Sequence, residues 1–155
     1  MNLFILDKEP AVSAMKFYNK VNPKYAFKML IELCQLICSA GYSSVYKKIP
    51  QGKELQKWIT QHEKYSYSYT YVLFSYCVNS NLDISIQTKK NICNILYDLG
   101  QAAFLIKRIQ EEVPLRAYFR YKKGYDNTLY PSKTLLPIEE CIIEYEKYLD
   151  WKNNK

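Results

Sequence analysis

Residues 22–41 read NPKYAFKMLIELCQLICSAG, and this stretch decides the fold class. Asn22 is a favourable helix N-cap because its side chain can accept a hydrogen bond from a backbone N–H of the first turn, and Pro23 suits the first helical position. Gly41 fits the position after the last turn, where the backbone often becomes left-handed. The pattern predicts a helix over residues 24–40 that is apolar, and therefore buried, over most of its circumference.

The polar residues of this helix follow one line along its surface. At 100° per residue, five of them fall within about 80° of one another: Lys24, Lys28, Glu32, Gln35 and Ser39. An unpaired buried charge is costly, so this polar stripe must face water, a cavity or another element. One interpretation is a ligand pocket with Lys24, Lys28 and Gln35 as binding residues. The alternative is the solvated edge of a core helix, on which Lys28 and Glu32 form an ion pair.

Helical periodicity recurs along the rest of the chain. It predicts helices over residues 10–19 and 52–64, a helix capped by Asp83, and a final helix from Ile138. Gly100 either kinks the third of these or separates it from another helix that runs through Glu112. No internal repeat is visible.

Two stretches have two possible structures each. The first can be a strand or a helix, and the second can be a strand or an extended segment. Residues 65–79 first alternate Tyr with small polar residues and then lose the alternation, and their length favours a helix with a wide aromatic face. Residues 2–6 are an apolar run that fits either a short buried strand or an extended entry segment. The sequence therefore predicts a single compact domain over residues 1–155, mainly α-helical, with a short N-terminal strand as an open alternative.

The chain carries 22 Lys and Arg against 15 Asp and Glu, a formal net charge of +7 that favours polyanionic partners. Residues 107–125, KRIQEEVPLRAYFRYKKGY, interleave cations with rings, a combination that binds phosphates by charge and bases by stacking. The predicted phosphate-binding residues are Arg116, Arg120, Lys122 and Lys123, and the predicted base-stacking residues are Tyr118 and Tyr121. The alternative is a solvated basic loop whose rings pack inward. Residues 136–155 carry more acidic than basic groups and are not expected to bind nucleic acid.

Several classes of site are not expected. The single histidine, His62, is interpreted as structural, and Cys34 and Cys38 lack a second ligand pair, so no metal is predicted. The four glycines are dispersed, which excludes the Gly-rich phosphate loops of nucleotide hydrolases and dehydrogenases. No cofactor is predicted. The five cysteines are expected to be reduced, and without a signal peptide or an apolar run of about 20 residues the protein is expected to be intracellular, cytoplasmic and not bound to a membrane.

Both ends of the chain resemble a small, poorly characterised protein family of phages and large DNA viruses. The matching stretches are residues 1–10 (MNLFILDKEP), 28–32 (KMLIE), Gln35-Leu36, Ala40, 128–131 (TLYP), Pro137 and 145–148 (YEKY). In that family histidines precede the Lys-Met-x-x-Glu motif, and residues 18–25 contain none. The resemblance implies a viral setting and a role around nucleic acid or nucleotides.

Three functions follow as hypotheses. The first is a protein that binds nucleic acid or a phosphorylated nucleotide through cations, rings and the polar stripe. The second is an enzyme acting on DNA bases or nucleotides, with Glu32 as its catalytic acid or base. The third is a viral interaction module that occupies a host protein through its Tyr-rich surface. An aromatic core is the alternative explanation for Tyr65, Tyr67, Tyr69, Tyr71 and Tyr76.

Overall fold

The computed structural model describes residues 2–105 and 113–155. Within them the chain is mainly α-helical, as predicted, and carries one small antiparallel hairpin. The elements are α1 (Pro10–Lys20), α2 (Pro23–Ser39), α3 (Lys53–Gln61), α4 (Glu63–Val78), α5 (Ile86–Gly100), a π-helical turn (Gln101–Leu105), β1 (Arg116–Arg120), β2 (Lys133–Pro137) and α6 (Ile138–Asn153). The predicted helix through Glu112 lies largely outside the described residues. None of the helices described is both long and apolar enough to cross a membrane.

Helix α2 forms as the sequence predicts. The Asn22 side chain accepts a hydrogen bond of 2.8 Å from the Tyr25 backbone N–H, and Pro23 is the first helical residue. Gly41 follows the helix with φ +101°, a conformation that side chains with a Cβ rarely adopt. The apolar sides of α2 contact α1, α3, α4 and α5, so the polar stripe takes the remaining face.

Residues 2–6 are neither helix nor strand, so the strand alternative is wrong. Leu3, Phe4, Ile5 and Leu6 are all buried. The Ser13 side chain satisfies part of their backbone, since its Oγ accepts from the Leu6 N–H at 2.8 Å and donates to the Phe4 carbonyl at 3.2 Å. A side chain of α1 therefore does what a neighbouring strand would otherwise do.

The Tyr-rich stretch that begins at Tyr65 lies in helix α4, which is the structure that its length favours. Tyrosines two positions apart lie on nearly opposite sides of α4, whereas tyrosines four positions apart lie only about 40° apart and share a side. Tyr65 and Tyr69 are buried, whereas Tyr67 is half-buried and Tyr71 is exposed. Both an aromatic core and an outward aromatic surface result.

Two boundary predictions need correction. The predicted helix over residues 52–64 ends at Gln61, and α4 begins at Glu63. Ser85, and not Asp83, caps α5, because the Ser85 Oγ accepts a 3.1 Å hydrogen bond from the Thr88 N–H. Gly100 is the last residue of α5, and the π-helical turn follows it directly. A Cβ at this position would stand only 3.0 Å from the Tyr67 ring.

The hairpin is the element that the sequence did not predict, since no strand is expected there between residues 115 and 137. Strand β1 pairs with β2 in antiparallel register, with Arg120 opposite Lys133. Ala117 and Phe119 are buried, and the alternate residues of β1 occupy the other face. The twelve residues between the strands hide the pairing, because short hairpin loops carry the recognisable turn signals.

An aromatic core joins the N-terminal segment, the hairpin and α6. The Phe4 ring lies 4.7 Å from Phe17 and 5.0 Å from Tyr145, measured between centroids. The Phe119 ring lies 5.1 Å from Tyr145. This cluster places β1 and α6 beside the polar stripe of α2.

Candidate functional site

The polar stripe and the basic hairpin meet at one concave surface, the cationic pocket, with a volume of about 370 Å³. Its lining comes from four parts of the chain: Asn2; Tyr25, Lys28, Met29 and Glu32 of α2; Arg120, Tyr121, Lys122 and Lys123 of β1 and the turn after it; and Tyr148 and Lys152 of α6. Two features that the sequence places about 90 residues apart are thus one site. It holds five cations and one carboxylate among the described residues.

Helix α2 places Lys28 and Glu32 one turn apart on the pocket wall. Lys28 is exposed and Glu32 is half-buried. The described residues supply no hydrogen-bond partner for Glu32 Oε2, which is itself buried. The ion pair between Lys28 and Glu32, one of the two sequence alternatives, therefore does not satisfy this oxygen.

Asn2, which also lines the pocket, carries a second acceptor without a partner. Asn2 Oδ1 is buried and receives no hydrogen bond from the part of the chain that the structure describes. Leaving a buried polar atom unsatisfied costs about 1–3 kcal/mol, so such atoms are uncommon unless water or a ligand supplies a donor. Glu32 and Asn2 thus each keep one buried acceptor without a donor among the described residues.

The cations of the hairpin stand on an anchored strand. The Tyr145 hydroxyl of α6 donates to the Tyr118 carbonyl at 2.8 Å and accepts from the Arg120 N–H at 3.2 Å. After β1 the chain turns, with the Tyr125 N–H donating to the Lys122 carbonyl at 3.1 Å. Lys122 and Lys123 are exposed at this turn. Their charges are accessible while the backbone beneath them is fixed.

Lys152 is a pocket residue that sequence reasoning missed. Its Nζ lies 3.5 Å from the centroid of the Tyr25 ring, a cation–π contact. Burial lowers the pKa of Lys152, the charges of Lys122 and Lys28 lower it further, and Glu32 opposes the shift. The overall acidity of residues 136–155 concealed this cation. The available signal was its spacing, since Lys152 lies one helical turn after the core residue Tyr148.

Three tyrosine rings line the pocket, those of Tyr25, Tyr121 and Tyr148. Tyr121 packs between Phe119 and Tyr125, at centroid distances of 5.6 and 5.2 Å, and its hydroxyl donates to the Tyr130 carbonyl at 3.0 Å. Burial raises the pKa of Tyr25, and the charges of Tyr148 and Glu32 add to the effect. Tyr121 is thus held in place by the core beside any ligand.

Four predicted site residues lie outside the cationic pocket. Lys24 and Gln35 line a neighbouring groove of about 620 Å³ on α2, which shares Tyr25, Lys28 and Glu32 with the pocket. Arg116 is exposed at the start of β1, where its carbonyl accepts a 2.9 Å hydrogen bond from Trp58 Nε1. Tyr118 is half-buried in a small crevice with Asn2 and Arg120. Lys107 and Arg108, at the start of the basic stretch, fall outside the described residues.

The thiols and the histidine contribute no metal centre to the site. Across residues 2–105 and 113–155, no three His, Cys, Asp or Glu side chains group as metal ligands would. All five cysteines are free, and Cys93 alone of them is exposed. Burial raises the pKa of the Cys77 thiol to about 11. His62 packs on Trp58 with a centroid distance of 4.6 Å.

Comparisons of the chain with protein-family models, with curated proteins and with solved structures found no match. The geometry of the cationic pocket is therefore the basis for a function.

Proposed function

We propose that this protein binds a phosphorylated nucleotide, either free or as a unit of a nucleic-acid strand, in the cationic pocket. One observation supports the proposal above all others: α2, the hairpin and α6 converge five cations on a single concavity that holds one carboxylate. Phosphate is the biological anion that such a group of lysines and an arginine suits best.

The electrostatics of the pocket favour an anionic ligand. Lys152 has a lowered pKa because burial and the neighbouring charges of Lys122 and Lys28 oppose its protonation. A phosphate group placed among these three amines replaces repulsion with attraction. Its binding is therefore expected to be strongest at low salt, where screening is weakest.

The size and the rings of the pocket favour a nucleotide over an inorganic anion. A volume of about 370 Å³ lies within the usual range for small-molecule sites, which is about 300–1,000 Å³. Tyr25, Tyr121 and Tyr148 line the pocket together with its cations. A ligand with phosphate at one end and a nitrogenous base at the other can therefore meet both cations and aromatic rings there.

Binding of a fluorescent single-stranded DNA at two salt concentrations tests the proposal. We expect Arg120→Ala/Lys122→Ala to weaken binding about 100-fold or more, since charged hydrogen bonds contribute about 1.5–3 kcal/mol each. The slope of log K against log salt should fall by about 1.4, at about 0.7 per lost phosphate contact.

The matched control is Lys47→Ala/Lys48→Ala, which removes the same net charge from two exposed lysines that line a separate concavity. It should retain the wild-type slope. Nucleoside monophosphates added as competitors distinguish a free nucleotide from a strand. They displace the DNA if the pocket binds single nucleotides, and they leave it bound if the pocket needs a strand. If wild type binds neither DNA nor nucleotides at low salt, the proposal is wrong.

A second candidate function is catalysis on a nucleotide or a DNA base. The observation that favours it is that Glu32, whose Oε2 has no hydrogen-bond partner among the described residues, lines the same pocket as Lys28 and Lys152. A carboxylate so placed can act as a general acid or base. Turnover of a nucleotide substrate that Glu32→Gln abolishes, with the fold intact, would support it.

A protein partner is a third possibility that the outer face of α4 supports. Tyr71 and Phe104 are exposed, and Tyr67 lies 6.0 Å from Tyr71 and 5.3 Å from Phe104 between ring centroids. Exposed aromatic surface is common where proteins meet. Binding of a host protein that Tyr71→Ser abolishes would support this function.

We infer a viral origin and a cytoplasmic location from the resemblance and from the free cysteines. We also propose that the chain folds as one compact domain, which predicts a single cooperative transition in calorimetry. Two separate transitions would contradict that proposal.

A further inference from the structure

We propose that the ligand is a single-stranded nucleic acid, and that its chain continues from the cationic pocket along the neighbouring groove on α2, which Lys24, Phe27 and Ile31 line. This inference rests on the proposed function and names the ligand class of the same site. The proposed function concerns one nucleotide unit in the pocket, whereas the inference concerns the units that follow it.

The groove and the cationic pocket adjoin. Both are lined by Tyr25, Lys28 and Glu32, so these three side chains form their common border. At this border the Nζ of Lys152 lies 3.5 Å from the centroid of the Tyr25 ring. A ligand that leaves the pocket on this side therefore passes directly onto α2.

The groove is longer than one nucleotide. Its lining residues run along α2 from Lys24 to Gln35, which at the helical rise of 1.5 Å per residue is a length of about 16 Å. Stacked nucleotides rise about 3.4 Å each along a strand, so this length accommodates several of them. A single nucleotide in the pocket leaves most of the groove uncovered, whereas a strand covers both.

The groove combines cations with an aromatic ring, as binding sites for single strands do. Lys24 and Lys28 are exposed one helical turn apart, so both can contact the phosphates of one strand. Phe27 and Ile31 are half-buried, since they pack against the core and also line the groove. A base can stack on the Phe27 ring. The bases of a duplex already stack on their neighbours, which favours a single strand.

Competition by 5′-phosphorylated oligothymidylates against a fluorescent single strand, with the full chain, tests the inference. The competitors are the mononucleotide and strands of two, four and eight nucleotides. Stacking on an aromatic side chain contributes about 5- to 150-fold in affinity per base. We therefore expect the four-nucleotide competitor to bind at least about 5-fold more tightly than the mononucleotide.

Phe27→Leu removes the ring and keeps an apolar side chain. It should weaken binding of the four-nucleotide competitor about 5- to 150-fold and leave binding of the mononucleotide unchanged. A general loss of folding would weaken both. Tyr71→Leu is the matched control, since Tyr71 is an exposed ring of α4 that lines neither the groove nor the pocket. It should keep the wild-type affinity for both competitors.

Lys24→Ala gives a second variant, and it decides the question if Phe27→Leu does not fold by circular dichroism. Lys24 is exposed and lines the groove but not the pocket. The slope of log K against log salt should fall by about 0.7 for the four-nucleotide competitor and stay the same for the mononucleotide. Lys48→Ala is its control, since Lys48 is exposed at a separate concavity.

The mononucleotide arm separates the inference from the proposed function. If the mononucleotide competes as well as the longer strands, or if both variants behave as wild type, a strand along α2 is wrong and nucleotide binding in the pocket stands. Decyl phosphate, an anion with an apolar tail and no base, tests another occupant. If it competes better than the four-nucleotide strand, the groove holds an amphiphile and the inference is overturned. If neither the fluorescent strand nor any nucleotide binds, the proposed function itself fails.

Discussion

At the scale of single residues, Lys152 holds its charge among charges of the same sign. Its pKa is lowered from 10.5 by burial first and then by Lys122 and Lys28. The unfolded chain therefore keeps this proton to higher pH than the folded protein does. Where the unfolded state binds more protons, stability rises with pH. The stability penalty from Lys152 is thus fully present below its folded pKa and is relieved as the pH rises towards 10.5.

This linkage gives a prediction for Lys152→Met, which keeps an apolar stem and removes the titrating amine. We expect the free energy of unfolding of wild type, minus that of Lys152→Met, to increase between pH 8 and pH 10.5. Urea denaturation followed by circular dichroism at several pH values measures it. Subtracting the variant cancels the groups that do not interact with Lys152, so the difference reports Lys152 and the charges around it. A difference that is flat or that declines over this interval would show that Lys152 is not held among repelling charges.

Glu32 and Lys152 show which properties of a pocket residue cannot be predicted from the sequence. Glu32 could be singled out because it is a polar position on a mostly apolar helix. That its Oε2 is buried could not be foreseen, since the burial depends on the elements that close over α2. Lys152 was concealed for the same reason: a sum over residues 136–155 says nothing about which charge faces a pocket formed by distant residues.

At the scale of elements, Tyr145 fixes the hairpin to α6. The side chain is fully buried, and its hydroxyl makes two hydrogen bonds with the β1 backbone. Tyr145→Phe keeps the ring but leaves the Tyr118 carbonyl without this donor and the Arg120 N–H without this acceptor. We expect a loss of about 1–3 kcal/mol in the free energy of unfolding, measured by urea denaturation.

Nucleotide affinity should fall in the same variant because β1 carries Arg120 and leads into the pocket lysines. Tyr130→Phe is the control, since its hydroxyl donates at 3.1 Å to Glu140 in an exposed hydrogen bond. That variant should change stability by no more than about 0.5 kcal/mol. Equal effects of the two variants would mean that the Tyr145 hydroxyl does not anchor the hairpin.

The elements differ in how far they could be predicted, and the difference is physical. Helix α2 is specified locally, by the Asn22 cap, by Pro23 and by the residues between them and Gly41. The hairpin is specified by pairing across twelve residues and by packing of Phe119 on α6, neither of which leaves a local pattern. Long-range pairing of this kind is what periodicity cannot detect.

At the scale of the whole molecule, the net charge of +7 indicates a binding site only when the positions of the charged side chains are known. The sequence predicts two cationic features, the stripe on α2 and the basic stretch after residue 107. The structure brings Lys28 and Glu32 of the first together with Arg120, Lys122 and Lys123 of the second. Four other predicted residues lie outside this pocket: Lys24, Gln35, Arg116 and Tyr118. Which predicted residues line the pocket is therefore decided by the tertiary fold and not by residue type.

Nucleotide binding at the cationic pocket is tested most directly by lysine acetylation of the wild-type protein. The reaction is quantified by mass spectrometry, with and without a saturating mixture of the four common nucleoside 5′-monophosphates. We expect the nucleotides to protect Lys28, Lys122, Lys123 and Lys152 from acetylation. Lys47 and Lys48, exposed at a separate concavity, should react equally in both samples. Unchanged reactivity of all six lysines, or protection of Lys47 and Lys48 alone, would contradict nucleotide binding at this pocket.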